Sequence, residues 1–107
     1  MALPESVFLP HPFGIIIAAG SEIGKDVVIG HQVTLGNRNG VLAAPKLGNR
    51  VYVGAGAKLL GPVIIGDDVM IGANAVVTVN VPPGMVVVGA NRIMPPKANY
   101  WQDTCTG

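Results

Sequence analysis

Charged residues, aromatic residues and long apolar runs are all scarce in this sequence. Of its 107 residues 12% are charged and 5% are aromatic, and the formal net charge is +1. Such a balance gives no basic field to attract nucleic acid or an anionic membrane surface. No segment approaches the roughly 18 apolar residues of a membrane-spanning helix, and the amino terminus does not resemble a signal peptide. We therefore expect a cytoplasmic protein with no nucleic-acid or membrane partner.

Few residue types suited to redox or metal chemistry are present. Cys105 is the single cysteine, so no intramolecular disulfide can form, and no neighbouring residue would activate its thiol. Two histidines are too few for a zinc site, which usually takes three protein ligands. The stretch from Gly54 to Lys58 lacks the Gly-Lys-Ser/Thr ending of a phosphate-binding loop. The sequence predicts neither a metal site nor a catalytic cysteine.

Hydrophobic residues and glycine are abundant instead. Half of the residues are hydrophobic, and the chain contains 15 glycines. A single domain of this size has a thin core, and an isolated subunit would have difficulty covering so much apolar surface. These proportions favour one domain, over residues 1–107, that forms an oligomer.

A six-residue repeat organises most of the chain. Aliphatic residues recur at every sixth position, namely Ile17, Ile23, Ile29, Leu35, Val41, Leu47, Val53, Leu59, Ile65, Ile71 and Val77. Small or branched residues follow four positions later, among them Ser21, Val27, Val33, Val51, Ala57, Val63, Val69, Ala75 and Val81. This period fits neither an α-helix nor a simple alternating strand. It is typical of a solenoid whose flat faces each point one large and one small side chain inward.

The repeat is broken in two places and ends in a third. The step from Leu9 to Ile17 is eight positions instead of six, which places two extra residues in the stretch from His11 to Ile16. Residues 37–46 keep the spacing but lose the pattern, and we predict a protruding loop there. The coils then cover about residues 3–82, and residues 83–107 form a last strand from Met85 to Val88 and an irregular tail from Ala90.

His11 is the first candidate for chemistry. It is the third residue of its hexad, a position that faces outward, and it is flanked by Pro10 and Pro12. Prolines hold the backbone stiffly, and a rigid imidazole with a pKa near 6.5 can accept a hydroxyl proton at neutral pH. A surface or packing role remains the alternative. His31 has the same hexad position without the prolines, which favours substrate contact over catalysis.

An ordered series of motifs resembles the serine O-acetyltransferase branch of the hexapeptide-repeat acyltransferases. The series is His11-Pro-Phe-Gly-Ile-Ile-Ile, Val33-Thr-Leu-Gly, Pro45-Lys-Leu-Gly, Gly54-Ala-Gly-Ala-Lys and Val81-Pro-Pro-Gly. The resemblance implies an all-β fold, a left-handed parallel β-helix of about four triangular coils. It also implies a homotrimer with sites between subunits, acetyl-CoA as donor and His11 as general base.

The same resemblance suggests residues for the donor site. Matching positions imply that Ala55 and Ala73 contact the CoA arm through their backbones and that Asn37 and Arg38 border the thioester. Arg92 or Lys97 would meet the nucleotide phosphates. With three faces to a coil, residues eighteen apart stack, which predicts one column of Ala19, Asn37, Ala55 and Ala73. His11 and His31 are twenty positions apart, and once the two extra residues between them are allowed for they form another column. The alternative use of small residues there is close trimer packing.

Departures from the family affect the acceptor more than the reaction. The family has an aspartate before the catalytic histidine and an Arg-His pair before Pro-Lys, where this chain has Pro10 and the pair Ala43 and Ala44. The groups that would hold an amino acid are missing, so we expect a sugar hydroxyl of polysaccharide or lipopolysaccharide synthesis as acceptor. The acid that orients the histidine is also missing, so either Glu5 or Glu22 of a neighbouring subunit replaces it or activity is weak.

Two other functions stay open at this point. Serine acetylation with altered contacts is one, and a non-catalytic trimeric solenoid or ligand-binding module is the other. An ice-binding solenoid would need regular threonine ladders, but only Thr34 and Thr78 fall within the hexads.

Overall fold

The computed structural model describes residues 7, 14–37 and 44–96, and these form a left-handed parallel β-helix, as predicted. Its strands are β1 (Ile16–Ile17), β2 (Glu22–Ile23), β3 (Val28–Ile29), β4 (Thr34–Gly36), β5 (Lys46–Leu47), β6 (Tyr52–Val53), β7 (Lys58–Leu60), β8 (Ile64–Ile65), β9 (Met70–Ile71), β10 (Val76–Val77), β11 (Val86–Val88) and β12 (Arg92–Met94). Three sheets form the faces, in the orders β1-β4-β7-β10, β2-β5-β8 and β12-β11-β9-β6-β3.

The core is the interior of the coils, as the repeat predicts. Most of the large inward positions are fully or almost fully buried, at Ile29, Leu35, Leu47, Val53, Leu59, Ile65, Ile71 and Val77. Ile17 and Ile23, in the first coil described, are half-buried and pack against this core. The second inward positions are also buried, at Ser21, Val27, Val33, Val51, Ala57, Val63, Val69, Ala75 and Val81. Burying each Val, Leu or Ile contributes about 1.5–3 kcal/mol before the entropy of ordering the chain is counted. The Ser21 hydroxyl donates to the carbonyl of Ala18 at 2.7 Å.

The coils have two different lengths. Thr34 pairs with Ile16, and Lys46 with Ile64, eighteen positions apart, whereas Lys46 pairs with Glu22 twenty-four positions away. The longer offset occurs wherever a pairing crosses the segment between β4 and β5. That segment therefore adds six residues to one coil without forming a face. Because six is also the repeat length, the insertion keeps the later hexads in phase with the earlier ones.

The predicted loop over 37–46 ends too late. Lys46 lies in β5, Pro45 is buried, and the Pro45 carbonyl accepts a hydrogen bond from the Glu22 amide at 3.1 Å. The chain has thus returned to the coil by Pro45. Residues 38–43 lie outside the described residues.

The end of the solenoid is more ordered than predicted. β11 pairs with β9 in parallel, as expected for a last strand, but β12 then pairs with β11 in antiparallel orientation. The irregular tail predicted from Ala90 is therefore wrong for Arg92–Met94. The physical reason is a tight reversal at Gly89 and Asn91, both with positive φ, which returns the chain along the open edge of β11.

Candidate functional site

Three turns with small side chains stack along one edge of the solenoid. They join β3 to β4, β6 to β7 and β9 to β10, and their central residues are His31, Ala55 and Ala73. The Gly56 amide donates to the His31 carbonyl at 2.9 Å, and the Asn74 amide donates to the Ala55 carbonyl at 2.8 Å. We call this edge the alanine corner. The coils are so close here that a Cβ on Gly54 would lie 2.7 Å from the Ala73 nitrogen.

A groove of about 380 Å³ runs beside the alanine corner. It is lined by Tyr52, Gly54, Ala55, Met70, Gly72, Ala73 and Val88. Pockets for small ligands usually measure about 300–1,000 Å³, so this groove suits a slender molecule or one part of a larger ligand. Its walls are mostly apolar, and its floor is backbone at the two glycines.

Backbone amides at the corner provide polar groups for a ligand. No acceptor among residues 14–37 and 44–96 takes a hydrogen bond from the amide of Ala55 or that of Ala73. Ala55 is half-buried, and an amide in that position needs a partner from solvent or from a bound molecule. The groove can therefore bind an extended ligand that carries carbonyl groups.

Three of the side chains that line the groove were not predicted from the sequence. Tyr52, Met70 and Val88 each lie one position from an inward aliphatic residue, on the outer face of their sheet. Outward positions are usually polar, so apolar residues there in successive coils indicate a surface that is not simply solvated. Met70 faces outward and yet is only 3% exposed. These apolar residues at outward positions of successive coils are the signal that could have identified the groove.

The predicted column of Ala19, Asn37, Ala55 and Ala73 is wrong. Ala55 and Ala73 stack with each other, but the residue below them is His31. Asn37 instead follows β4, which pairs with β1 just before Ala19, so these two residues belong to another edge. The six-residue insertion between β4 and β5 causes the error, because it shifts every later residue by one face.

Arg92 lies beside the groove, on the exposed side of β12. It is directly opposite Val88 in the antiparallel ladder, and Val88 lines the groove. Directly opposite residues share a face of the sheet, with Cβ atoms about 4.5–5.5 Å apart. The structure thus places Arg92 next to the groove, and its contact with nucleotide phosphates stays a prediction. His11, Arg38 and Lys97 lie outside the described residues.

A second edge of the solenoid carries polar side chains at matching positions. Lys25, Asn49 and Asp67 are its central residues, and we call it the charged corner. The Asn49 side-chain oxygen accepts from the Lys25 amide at 2.9 Å, and Asp67 Oδ1 accepts from the Asn49 amide at 2.7 Å. These side chains occupy backbone donors on the adjacent coil, which makes the corner a structural ladder.

An ion pair continues the ladder at the following positions. Arg50 Nε and Nη2 donate to the two carboxylate oxygens of Asp68 at 2.7 and 3.1 Å. This hydrogen bonding lowers the pKa of Asp68 below its ordinary value of 3.8 and raises the pKa of Arg50. Both side chains are exposed, so solvent screens the pair and its contribution to stability is small.

Other ionisable groups do not converge into a site. Glu22, one of the acids considered for orienting a histidine, forms an exposed ion pair with Lys46 at 3.2 Å. Within the described ranges, no three His, Cys, Asp or Glu side chains are grouped as a metal site would require. The same ranges contain no helix that could span a membrane.

Comparison with known proteins identifies the family. Residues 44–78 match the bacterial transferase hexapeptide model of six repeats. The chain is 52% identical over 88 residues to a serine acetyltransferase of Helicobacter pylori, covering 80% of this chain and 52% of that protein. It is 53% identical over 85 residues to the Mycobacterium tuberculosis serine acetyltransferase, covering 78% of this chain and 37% of that protein.

Solved structures give the same result for the fold. The soybean serine acetyltransferase apoenzyme superposes with a TM-score of 0.79 at 37% identity, covering 82% of this chain and 38% of that one. The Neisseria gonorrhoeae serine acetyltransferase in complex with serine gives 0.77 at 38% identity, covering 84% and 37%. The chain spans about half the length of the Helicobacter relative and under two fifths of the others named here. The chain carries the hexapeptide repeat of the bacterial transferases and, over the part that it spans, is similar to serine acetyltransferases.

Proposed function

We propose that this chain transfers an acetyl group from acetyl-CoA to the hydroxyl of serine, as a homotrimer. The groove beside Ala55 and Ala73 carries the proposal, since it offers a narrow apolar channel with two backbone amides that lack a described protein partner. The relatives and solved structures named above are serine acetyltransferases. The comparisons therefore do not support the sugar acceptor that we expected from the sequence, and they favour serine.

The donor arm fits the groove by shape and by hydrogen bonding. Pantetheine is an extended chain with two amide groups, whose carbonyls can accept from the Ala55 and Ala73 amides. Its methylene groups would pack against Tyr52, Met70 and Val88. Arg92 at the end of the groove would pair with the nucleotide phosphates, for which a guanidinium is well suited.

Three further residues are proposed for the donor site from the family resemblance alone. Lys97 is the second candidate for the phosphates, and Arg38 and Asn37 are the candidates that border the thioester. Asn37 is exposed and lies at a different edge from Ala55. Its role would therefore require the groove of a neighbouring subunit, as a trimer with sites between subunits allows. His31, at the foot of the alanine corner, remains the candidate for acceptor contact.

The chemical step needs one general base and no covalent enzyme intermediate. His11 would remove the proton from the acceptor hydroxyl as its oxygen attacks the thioester carbonyl carbon. The new carbon–oxygen bond forms, the carbon–sulfur bond breaks, and the leaving thiolate takes the proton from His11 to give free CoA. A backbone amide near the carbonyl would stabilise the tetrahedral oxyanion.

The proposed acceptor pocket lacks the charged side chains that we expect to bind an amino acid. Ala43 and Ala44 stand where the resemblance leads us to expect an Arg-His pair, and Ala44 is buried. A methyl group cannot pair with the carboxylate of serine. We therefore expect a high KM for serine and a much smaller effect on the KM for acetyl-CoA.

Release of free thiol from acetyl-CoA tests the function directly. Purified protein is mixed with acetyl-CoA and either serine, other hydroxy amino acids or a panel of sugars. Serine-dependent thiol release supports the proposal. Thiol release with sugars alone would show that the acceptor is a sugar and not serine. Binding of CoA without turnover with any acceptor would indicate a ligand-binding solenoid instead.

Two variants and a mass measurement test the proposed roles. His11→Ala should lower the rate at least about a hundredfold, because general-base catalysis contributes about 10²–10⁴. His31→Ala is the matched control on the same repeat position and should mainly raise the KM of the acceptor. Sedimentation equilibrium should give three times the subunit mass of 11.0 kDa. A near-normal rate in His11→Ala would exclude it as the base.

A further inference from the structure

The turn between β11 and β12 is attached to the last coil. The Val76 amide donates to the Gly89 carbonyl at 2.8 Å, and the Asn91 amide donates to the Val76 carbonyl at 2.9 Å. Ala90 bridges to Val76 in between. The turn thus occupies the place above β10 that a further strand of the solenoid would take.

Asn91 adds a side-chain clip to this attachment. Its Oδ1 accepts from the Thr78 amide at 2.7 Å, and its Nδ2 donates to Thr78 Oγ1 at 2.7 Å. Asn91 has a φ of 56°, and asparagine tolerates this region better than most residues with a side chain. The side-chain oxygen therefore supplies the acceptor that a carbonyl of a next coil would otherwise provide to the Thr78 amide.

The clip fixes the strand that carries Arg92. β12 is three residues long and, among the described strands, pairs with β11 alone. Short antiparallel pairs are marginally stable without further contacts. Asn91 immediately precedes Arg92, and Arg92 lies opposite Val88 at the groove. The position of the Arg92 backbone thus depends on the hydrogen bonds between Asn91 and Thr78.

We infer that Asn91 is a positioning residue for the donor, holding Arg92 at the end of the groove where the nucleotide phosphates of acetyl-CoA would lie. The inference rests on the proposed function, since it assumes that acetyl-CoA occupies this groove. It assigns Asn91 no contact with the donor. Its effect is confined to donors that carry the phosphates, because only they reach Arg92.

The test compares a full donor with one that lacks the nucleotide. Asn91→Gly keeps the positive φ and removes both side-chain hydrogen bonds. We expect it to weaken acetyl-CoA binding about tenfold, as for loss of one charge-assisted hydrogen bond. Binding of acetyl-pantetheine should change less than twofold. Calorimetry gives both dissociation constants, and the rate at saturating acetyl-CoA should be unchanged.

Four further variants separate positioning from general destabilisation. Asn91→Asp keeps the acceptor for the Thr78 amide, so it should recover most of the affinity. Asn80→Gly is the matched control, since the Asn80 side chain accepts from the Ile64 amide at 2.9 Å on another face. It should destabilise the fold without changing donor affinity. If Asn91 acts through Arg92, then adding Asn91→Gly to Arg92→Ala should cause no further loss.

The outcomes are distinct. Unchanged acetyl-CoA affinity in a folded Asn91→Gly protein would overturn the inference, as would equal weakening of acetyl-CoA and acetyl-pantetheine. Should Asn91→Gly fail to fold, Thr78→Val removes the hydroxyl half of the clip, and it should still weaken acetyl-CoA selectively. If the wild-type protein binds neither donor, the proposed function fails and this inference fails with it. If the wild-type protein binds both donors with equal affinity, Arg92 and Asn91 have no role in donor binding, but the proposed function stands.

Discussion

The charged corner and the alanine corner have the same backbone and opposite uses. Both have a glycine followed by a central residue and a residue with positive φ, such as Arg50 in one and Gln32 in the other. Their main chains form the same coil-to-coil hydrogen bonds. At the charged corner Asp67 Oδ1 accepts a hydrogen bond from the Asn49 amide. At the alanine corner the side chain of Ala73 cannot accept one, and the Ala55 amide has no acceptor among the described residues. One repeat thus forms a hydrogen-bonded side-chain ladder at one edge and, in our proposal, a binding surface at another.

Transferring the side chain of one corner to the other should have the largest effect. In Ala73→Asp, the new carboxylate would stand eighteen positions from Ala55, as Asp67 does from Asn49, and would accept from the Ala55 amide. We expect donor affinity to fall at least about a hundredfold, roughly 2.7 kcal/mol, because the amide is occupied, the groove is filled and the new charge repels phosphate. The free energy of unfolding should rise by about 0.5–1.5 kcal/mol.

Calorimetry with acetyl-CoA and urea unfolding at one protein concentration measure both quantities. Lys25→Asp is the matched control at the charged corner, far from the groove, and should leave donor affinity unchanged. Retention of full donor affinity in Ala73→Asp would mean that the groove does not hold the donor.

The reverse change should weaken the fold and spare the groove. Asp67→Ala leaves the amide of the half-buried Asn49 without its acceptor, which typically costs about 1–3 kcal/mol. Urea unfolding should show this loss, while donor binding stays within twofold. Asp67→Asn, which keeps an oxygen acceptor, should lose less. Equal losses in the two variants would show that the charge, and not the hydrogen bond, stabilises this corner.

The sequence predicts the interior of this molecule better than its edges. Ile29, Val53 and Ile71 follow the six-residue rhythm and are fully buried, because the large inward positions favour aliphatic side chains. Hexad counting failed at the alanine corner because a six-residue insertion has the same length as a face. Only strand pairing, such as Glu22 with Lys46, distinguishes the two.

The candidate site was predicted in part for the same reason. Ala55 and Ala73 were identified, and they do lie together, because no insertion separates them. Tyr52 was missed because a single outward aromatic residue gives little indication of a groove. The bond of Asn91 to Thr78 could not be predicted, since it depends on a chain reversal that breaks the repeat. The prediction for His11 stays untested.

A smaller effect is expected where two turns of the alanine corner differ in backbone strain. Gln32 and Gly56 occupy the same position in successive turns of the alanine corner, both with positive φ, at 56° and 75°. Left-handed backbone costs a residue with a Cβ about 1–2 kcal/mol, and glycine loses about 0.5–1 kcal/mol more entropy on folding. Gln32→Gly should therefore stabilise the fold by about 0.5 kcal/mol in urea unfolding. A loss of stability would show that the Gln32 side chain makes contacts that outweigh the strain.

The smallest effect is the dependence of the charged corner on pH. Because the hydrogen bond from Arg50 lowers the folded-state pKa of Asp68, the pair stabilises the fold fully above the ordinary value of 3.8. That contribution is lost as the pH falls from 3.8 through the lower pKa of the folded protein. Asp68→Asn should remove this part of the acid dependence of the unfolding midpoint and change little at neutral pH. Ala73→Ser changes the alanine corner without adding or removing an ionisable group, so it should leave the acid dependence as in the wild type. An identical acid profile for Asp68→Asn and the wild type would mean that solvent screens the pair completely.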